Sequence, residues 1–336
     1  MCHSPAVPVV FARSPLRVTL AGGGTDLASW YRDNGGYVVA AGIDRHVFML
    51  VNTDHQDRIR LKHIEWEEVD SSDQVQHPIL REALLRRWNG APLELASTSD
   101  VPPGTGLGSS GAYTVCALGA LALAAGRPAA AGELAEEACD IEIEVLGRTV
   151  GKQDQYASAF GGIRAYAIAH DGVVTAQPLA VDPSTAGALE DGLLLIYSGE
   201  QRSASDLLAA EARGAQAGDG TVKRSLSRGV EIAHEVRDAL ERGDLEALGA
   251  LMNEQWDAKL ARSPAMATPR MEELRRLALE AGAGGVMQMG AGGGGYLLAY
   301  APDPAAVRAA LAEASAAELR FRLDPGGFRG EAFDKY

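Results

Sequence analysis

The stretch from Val101 to Gly111, V-P-P-G-T-G-L-G-S-S-G, contains the residue types needed to hold a phosphate group. Its three alternate glycines permit positive φ values and let backbone N–H groups approach another molecule closely. The apolar run from Ala112 to Ala125 predicts a buried helix, ended by Gly126 and Pro128. The loop therefore leads into a helix N-terminus, where unpaired N–H groups and the helix dipole favour an anion.

Two better-known phosphate motifs do not fit this loop. A P-loop requires Lys before Ser or Thr, and the chain contains no Gly-Lys-Ser or Gly-Lys-Thr. Gly106, Gly108 and Gly111 match G-x-G-x-x-G, but the prolines before them do not fit the central strand of a dinucleotide-binding unit. A flexible turn in front of a core helix stays open as the alternative for a glycine-rich loop taken alone.

A second candidate site lies near the N-terminus. Phe11 to Ala21 alternates apolar and polar residues, which predicts a half-buried strand with Arg17 on the face away from the core. The strand runs into Gly22 to Asp26, where glycines let a ligand approach the backbone and Asp26 can accept hydrogen bonds from its hydroxyls. Capping of a helix that begins near Leu27 is an alternative role for Asp26, compatible with the first.

Two further acids stand in helical patterns. Glu133 to Gly147 is amphipathic, and Glu142 lies closest to its apolar stripe, from where it can reach inward to a hydrated cation. Gly151 to Gly162 reads G-K-Q-D-Q-Y-A-S-A-F-G-G, and a helix starting near Asp154 places that carboxylate at the helix N-terminus. For this segment taken alone, an N-capping role of Asp154 is the alternative.

Other patterns predict the elements around these motifs. Tyr37 to Ile43 and His46 to Asn52 predict two adjacent strands. Long helical patterns occupy Thr221 to Glu241 and Leu245 to Ala261. The glycines from Gly292 to Gly295, just before an apolar strand, predict close packing against either a ligand or the first glycine loop.

Composition limits the class of protein and its partners. The 336 residues, 46% hydrophobic and 23% charged, suffice for two globular domains, with a boundary near residue 190. A net charge of −14 argues against nucleic-acid or membrane-surface binding, so an anionic ligand needs a local pocket. The three scattered cysteines, Cys2, Cys116 and Cys139, favour reduced thiols and a cytoplasmic location. No signal peptide or membrane span is predicted, and a homodimer is left open.

Three motifs, in this order, resemble those of the GHMP small-molecule kinases, named for galactokinase, homoserine kinase, mevalonate kinase and phosphomevalonate kinase. They are P-L-R-V-T-L-A-G-G-G-T-D from Pro15 to Asp26, P-P-G-T-G-L-G-S-S from Pro102 to Ser110, and G-A-G-G-G-G from Gly290 to Gly295. The segments Ala21 to Leu27 and Gly151 to Gly162 look like the bacterial D-glycero-D-manno-heptose 7-phosphate kinase subgroup.

The resemblance implies an α+β, two-domain fold. Residues 1–190 would form a domain like ribosomal protein S5 domain 2, and residues 191–336 a ferredoxin-like α/β sandwich that completes the sugar site. ATP and Mg²⁺ are the implied cofactors, with Asp154 as catalytic base, Arg17 beside it, and Ser110 and Glu142 on the metal. The implied ATP-phosphate residues are Pro103, Gly104, Thr105, Gly106, Leu107, Gly108, Ser109 and Ser110. The implied sugar-binding residues are Gly22, Gly23, Gly24, Thr25, Asp26, Gly292, Gly293 and Arg202.

The implied reaction is ATP-dependent phosphorylation of the anomeric hydroxyl of a heptose 7-phosphate. A kinase of another sugar, such as fucose, and a non-catalytic nucleotide-binding regulator are the alternatives. An NAD-dependent dehydrogenase has the least support. One departure bears on the substrate, because Met287 stands where related motifs usually carry Lys. The cations available to a substrate phosphate in its place are Arg13, Arg202, Lys259, Arg320 and Arg322.

Overall fold

The computed structural model describes residues 9–54, 56–88, 90–200, 213 and 220–333, so Arg202 and Cys2 lie outside the described residues. The strands are β1 Val9–Ala21, β2 Gly36–Asn52, β3 Ile59–Lys62, β4 Trp66–Val69, β5 Leu93–Ser99, β6 Ile163–Ile168, β7 Val174–Pro178, β8 Leu193–Tyr197, β9 Gly285–Gln288, β10 Tyr296–Tyr300, β11 Ala317–Leu319 and β12 Arg329–Phe333. The α-helices are α1 Ala28–Asn34, α2 Pro78–Arg87, α3 Ser109–Ala124, α4 Ala131–Cys139, α5 Gln153–Phe160, α6 Pro183–Gly192, α7 Gly220–Arg242, α8 Leu245–Arg262, α9 Pro269–Glu280 and α10 Pro304–Glu313. A π-helical segment, Asp140–Val145, follows α4 directly.

The described strands form two sheets. The first has the order β12-β1-β2-β5-β3-β4, with β6 paired to β2 and β7 paired to β6. The second has the order β11-β8-β10-β9 and is antiparallel. Because β12 pairs with β1, the chain returns to the first sheet after completing the second. The division of the chain at residues 190 and 191 stays a prediction.

The two strands predicted between Tyr37 and Asn52 are in fact the single strand β2, and the prediction of a break was wrong. β1 pairs with both halves of β2, from Val10 opposite Val51 to Ala21 opposite Val39. The polar pair Asp44-Arg45 coincides with a register shift in this ladder, where the Asp44 N–H bonds instead to the carbonyl of Arg322. A continuous partner strand therefore carries β2 through a polar dipeptide that would end an isolated strand.

Helix α3 lies at the centre of the first domain and packs against β1, β2 and α5. It is almost wholly buried, which its uninterrupted apolar sequence requires, since a helix without a polar face must be covered on all sides. Cys116 within it and Cys139 at the end of α4 are buried free thiols. Burial raises the pKa of the Cys116 thiol to about 12. As the sequence predicts, neither of these two cysteines forms a disulfide. Within the described ranges, no helix is long and apolar enough to span a membrane.

The first turn of α3 touches the first turn of α5 at Gly111. A Cβ atom at residue 111 would lie 2.8 Å from the Cβ of Asp154 and 2.9 Å from the backbone carbonyl carbon of Asp154. Only glycine permits this approach, because neither helix backbone can yield without moving its neighbours. The contact therefore fixes the position of Asp154 relative to the start of α3.

We expect Gly111→Ala to lower the free energy of unfolding by about 1–3 kcal/mol, the usual cost of overpacking a close contact. The matched control is Gly187→Ala in α6, where a Cβ would meet no atom within 4 Å. That substitution should leave stability unchanged or raise it by up to about 1 kcal/mol, because alanine favours the helix. Urea unfolding of both variants measures the difference, and equal stabilities would show that α3 and α5 can move apart freely.

Candidate active site

The site is built around an ion pair between β1 and α5. The Arg17 Nε donates to Asp154 Oδ1 at 2.9 Å, and Nη2 lies 2.7 Å from the same oxygen. The Arg17 side chain is only 3% exposed, whereas that of Asp154 is 27% exposed. Arg17 therefore holds Oδ1 of Asp154, while the rest of the carboxylate is partly exposed. It does not act as the helix cap, since Lys152 is the N-cap of α5 and Asp154 lies within the first turn.

The glycine loop is fastened to the same arginine. Arg17 Nη1 donates to the carbonyl of Gly106 at 2.6 Å, and the Arg17 N–H donates to the carbonyl of Leu107 at 3.1 Å. Gly104, Gly106 and Gly108 all adopt positive φ, as their sequence pattern predicts. Two hydrogen bonds from Arg17 thus connect the loop to β1.

At the start of α3 the loop presents hydrogen-bond donors to the cleft. The N–H groups of a first helical turn have no partners within the helix, and they point away from its N-terminus. The Ser109 hydroxyl oxygen is buried and has no hydrogen-bond partner among the described residues. Backbone donors and an unpartnered hydroxyl at one helix end are the features that an anionic group requires.

Ser110 belongs to a second polar cluster with Glu142. The Ser110 hydroxyl donates to Glu142 Oε2, and the Glu142 carboxylate is fully buried. Gln155 Nε2 donates to Glu142 Oε1 at 2.9 Å, and Arg148 Nη1 lies 3.1 Å from Glu142 Oε2. Glu142 faces inward, as its position beside the apolar stripe predicts, and it lies in the π-helical segment.

Asp26 links the glycine turn to α5. Its carboxylate accepts hydrogen bonds from the N–H of Gly24 and the N–H of Gln153, both at 3.1 Å. It therefore binds the first N–H of α5, and the predicted alternative that it caps the helix near Leu27 is wrong, because α1 has no side-chain cap. Burial raises the pKa of Asp26 from 3.8 to about 6, with the nearby Asp154 charge adding to the effect and the Gln153 N–H opposing it.

Helix α8 closes the site from the second domain. Gln255 accepts from the Gly22 N–H at 2.9 Å and donates to the sulfur of Met287 at 3.4 Å. Arg262 Nη2 donates to the carbonyl of Gly23 at 3.2 Å, and Lys259 Nζ donates to the carbonyl of Gly290 at 2.5 Å. Three polar side chains of one helix thus contact the backbone of two segments, the glycine turn after β1 and the late glycine segment.

Most of these groups line a single cleft with a volume of about 1130 Å³, whereas the buried Glu142 and Gln155 are not among its lining residues. Most of the predicted site residues lie on its wall, as follows: Arg17, Gly23, Gly24, Asp26, Pro103, Gly104, Gly106, Gly108, Ser109, Ser110 and Asp154. Gly22, Thr25, Thr105 and Leu107 lie behind the wall. Thr25, for example, bonds to the carbonyl of Gly22 at 2.8 Å and fixes the turn.

The late glycines pack against the first glycine loop, one of the two alternatives that the sequence left open. A Cβ at Gly295 would lie 2.4 Å from the carbonyl oxygen of Thr105, and one at Gly290 would lie 2.6 Å from the Cα of Gly106. Gly292 and Gly293 contact Met266 instead, and it is Gly290 and Ala291 that line the cleft.

The sequence did not single out Arg148, Gln255 or Arg262. Gln255, Lys259 and Arg262 are spaced i, i+4 and i+7, so a polar stripe on one face of α8 was the available signal. No spacing in the sequence pointed to Arg148. Of the other cations considered, Lys259 lines the cleft, whereas Arg13, Arg320 and Arg322 are not among the lining residues.

Comparison with known proteins identifies the family. The profile of the GHMP kinases N terminal domain matches residues 78–162, and that of the GHMP kinases C terminal domain matches residues 236–318. Together they cover half of the chain, which belongs to the GHMP kinase family and has the two-domain fold expected of it.

The relatives that match most of this chain include sugar kinases. A D-glycero-alpha-D-manno-heptose 7-phosphate kinase of Campylobacter jejuni is 28% identical over 307 residues, covering 87% of this chain and 89% of that protein. A bifunctional fucokinase/GDP-fucose pyrophosphorylase of Arabidopsis thaliana is 25% identical over 334 residues, which are 92% of this chain but only 30% of that protein. The crystal structure of a D-glycero-D-manno-heptose 1-phosphate kinase from Bacteriodes thetaiotaomicron shares the fold, with a TM-score of 0.79, 23% identity and coverage of 96% of this chain and 98% of that one.

We expect the raised pKa of Asp26 to make stability fall as pH rises from about 4 to about 6. The folded chain holds this proton more tightly than the unfolded chain, so deprotonation disfavours folding across that window. A shift from 3.8 to about 6 corresponds to roughly 3 kcal/mol between low and neutral pH. Urea unfolding between pH 4 and pH 8 should show this slope in the wild type relative to Asp26→Asn. The exposed Asp33→Asn serves as control, and a constant difference between wild type and Asp26→Asn would contradict the assignment.

Proposed function

We propose that the chain is an ATP- and Mg²⁺-dependent kinase of D-glycero-D-manno-heptose 7-phosphate. It phosphorylates the anomeric hydroxyl to give the 1,7-bisphosphate, a step towards a nucleotide heptose. The observation that carries the proposal is the Arg17–Asp154 ion pair, held at the end of an anion-binding glycine loop. The match to the Campylobacter jejuni heptose 7-phosphate kinase along most of both chains supports the choice of substrate.

Asp154 is the residue that we propose acts on the acceptor hydroxyl. Its carboxylate is partly exposed to the cleft and lies against Arg17, which keeps it oriented. We assign to Asp154 the orientation of the sugar hydroxyl and acceptance of its proton. Arg17, bonded to both Asp154 and the loop, offsets negative charge on the group in transfer. Phosphoryl transfer depends mainly on such positioning and charge neutralisation.

The loop and the start of α3 would hold the ATP phosphates. The backbone N–H groups of the first turn and the unpartnered Ser109 hydroxyl supply donors without introducing a positive side chain. The close contact of Gly108 with Arg17 and Asp154 sets the loop directly against the reacting groups, because a Cβ there would lie 3.2 Å from Arg17 Cγ. Donors and base therefore face the same point in the cleft.

The donor set of Ser110 and Glu142 fits Mg²⁺. A hydroxyl and a buried carboxylate in contact are hard oxygen ligands, and Mg²⁺ is commonly held by one or two protein groups together with substrate phosphates. Gln155 orients the carboxylate from its other oxygen. The ion, when bound, would neutralise phosphate charge during the transfer.

The groups on one side of the cleft favour a phosphorylated sugar as the acceptor. Gly23, Gly24 and Asp26 offer backbone groups and a carboxylate to sugar hydroxyls. Beyond them Arg262 reaches the turn at Gly23, and Lys259 reaches Gly290 on the other side. We assign recognition of the sugar phosphate to Arg262, since a guanidinium suits the planar arrangement of phosphate oxygens.

A kinase of an unphosphorylated sugar is the second candidate. Met287 lines the cleft, and its sulfur accepts a hydrogen bond from Gln255. Both side chains are uncharged, so this part of the wall is neutral. The similarity to the Arabidopsis fucokinase protein points in the same direction.

A panel of acceptors tests the proposal. ADP release with Mg-ATP should be selective for D-glycero-D-manno-heptose 7-phosphate over mannose 6-phosphate, sedoheptulose 7-phosphate, fucose and no sugar. Turnover of fucose alone would favour the second candidate. Nucleotide binding without turnover of any acceptor would favour the non-catalytic regulator.

Asp154→Asn should reduce kcat by about 100-fold or more while nucleotide binding survives, because the proton acceptor is lost and the loop remains. Equilibrium titration with ATP and steady-state kinetics separate the two effects. Asp191→Asn, an exposed aspartate on α6, is the matched control. Turnover near the wild-type rate would remove Asp154 from the role of base.

Arg262→Gln should raise the KM for the phosphorylated acceptor by about tenfold or more, since a charge-assisted contact is lost, with little change in the KM for ATP. The control is Arg276→Gln on α9, which removes an exposed arginine paired with Glu280. An unchanged acceptor KM would place the sugar phosphate elsewhere.

A further inference from the structure

Arg148 is hydrogen-bonded to both of the groups assigned to the metal, Ser110 and Glu142. It lies between the π-helical segment and α5, and its side chain, about one-third exposed, lines the cleft. Its Nη1 donates to the Ser110 hydroxyl at 2.9 Å and to Glu142 Oε2 at 3.1 Å. A single guanidinium nitrogen therefore bridges the proposed metal ligands.

The buried Glu142 requires a positive partner. Its side chain is fully buried, and an ionised carboxylate away from water is costly unless a charge or several hydrogen bonds compensate it. Gln155 and Ser110 supply neutral hydrogen bonds. Across the described parts of the chain, Arg148 is the only cation in ion-pair contact with Glu142.

A divalent cation and Arg148 cannot share these oxygens. Both would bind Ser110 Oγ and Glu142 Oε2, and both are positive, so their mutual repulsion within a buried site is strong. The guanidinium must therefore leave when a metal binds. Since Arg148 and Ser109 line the same cleft, the phosphates of a bound nucleotide offer the displaced guanidinium a new anionic partner.

We infer that Arg148 is an exchangeable counter-ion of the metal site. It neutralises Glu142 when no metal is bound and moves to the nucleotide phosphates when metal binds. This inference rests on the proposed function through its Mg-nucleotide site. It follows that a metal alone binds weakly, because it must displace a cation whose one ion-pair partner among the described residues is Glu142. Metal and nucleotide, by contrast, strengthen each other's binding.

The test uses Mn²⁺ as the metal probe and AMP-PNP as the nucleotide, each titrated calorimetrically into the full-length protein. Without nucleotide, Arg148→Gln should bind Mn²⁺ on the order of tenfold more tightly than wild type, because the competing cation is gone. In saturating Mn²⁺ the same variant should bind AMP-PNP on the order of tenfold more weakly, because the guanidinium–phosphate contact is lost. In EDTA its AMP-PNP affinity should match that of wild type. A merely structural role would weaken AMP-PNP binding in both conditions.

The control is Arg86→Gln, which removes an arginine paired at 2.5 Å with Asp140 on the same π-helical segment but outside the cleft wall. It should leave all three affinities unchanged. Arg148→Lys retains the positive charge next to Glu142, so it provides a second test if the glutamine variant does not fold. Its single ammonium cannot reproduce the guanidinium geometry, so it too should tighten nucleotide-free Mn²⁺ binding, by a smaller factor.

Unchanged or weaker nucleotide-free Mn²⁺ binding in a folded Arg148 variant would overturn the inference and leave the kinase proposal intact, provided that wild type binds Mn²⁺ with AMP-PNP. Failure of wild type to bind that pair at all would overturn the proposed function and this inference with it.

Discussion

The ion pair between Arg17 and Asp154 is the interaction on which the rest of the site depends. Arg17 belongs to β1 and is almost fully buried, so its position is set by the first sheet. Its Nε and Nη2 atoms then hold the Asp154 carboxylate, and its Nη1 holds the carbonyl of Gly106. One side chain thereby sets the distance between the group assigned as base and the loop assigned to the phosphates. The absence of side chains at Gly108 and Gly111 is a consequence, because any Cβ there would enter the space of this pair.

The cleft of this acidic protein contains cations at particular points. The chain carries a net charge of −14, and four cations line the cleft beside five carboxylates. The cations are Arg17, Arg148, Lys259 and Arg262, and the acids are Asp26, Glu65, Glu67, Asp100 and Asp154. Locally placed cations can hold an anionic ligand inside an acidic protein because the surface charges are screened by salt within about 10 Å. Specific contacts, rather than the overall field, must therefore recognise the anionic ligands that a kinase binds.

The second domain contributes to the site through α8 and the late glycine loop. Gln255 and Arg262 bond to the glycine turn after β1, and Gly290 and Gly295 rest on the first glycine loop. These backbone contacts leave no room for an added side chain, so they fix the position of the late glycine segment on the first glycine loop. Both halves of the chain consequently shape the cleft, at the glycine turn after β1 and at the first glycine loop.

The sequence by itself determined the family, the glycine loop with its helix, and the helices α7 and α8, because these depend on local spacing and on short motifs. It also indicated Arg17, Asp154, Ser110 and Glu142 through resemblance. Only the tertiary structure decided that Asp26 binds the start of α5, that the late glycines pack on the first loop, and that Arg148 and Arg262 face the cleft. The physical reason is that these are contacts between segments far apart in the chain, as between Arg17 and Asp154, which are 137 residues apart. Local periodicity predicts which face a residue lies on, but the partner across a cleft is set by how the elements pack.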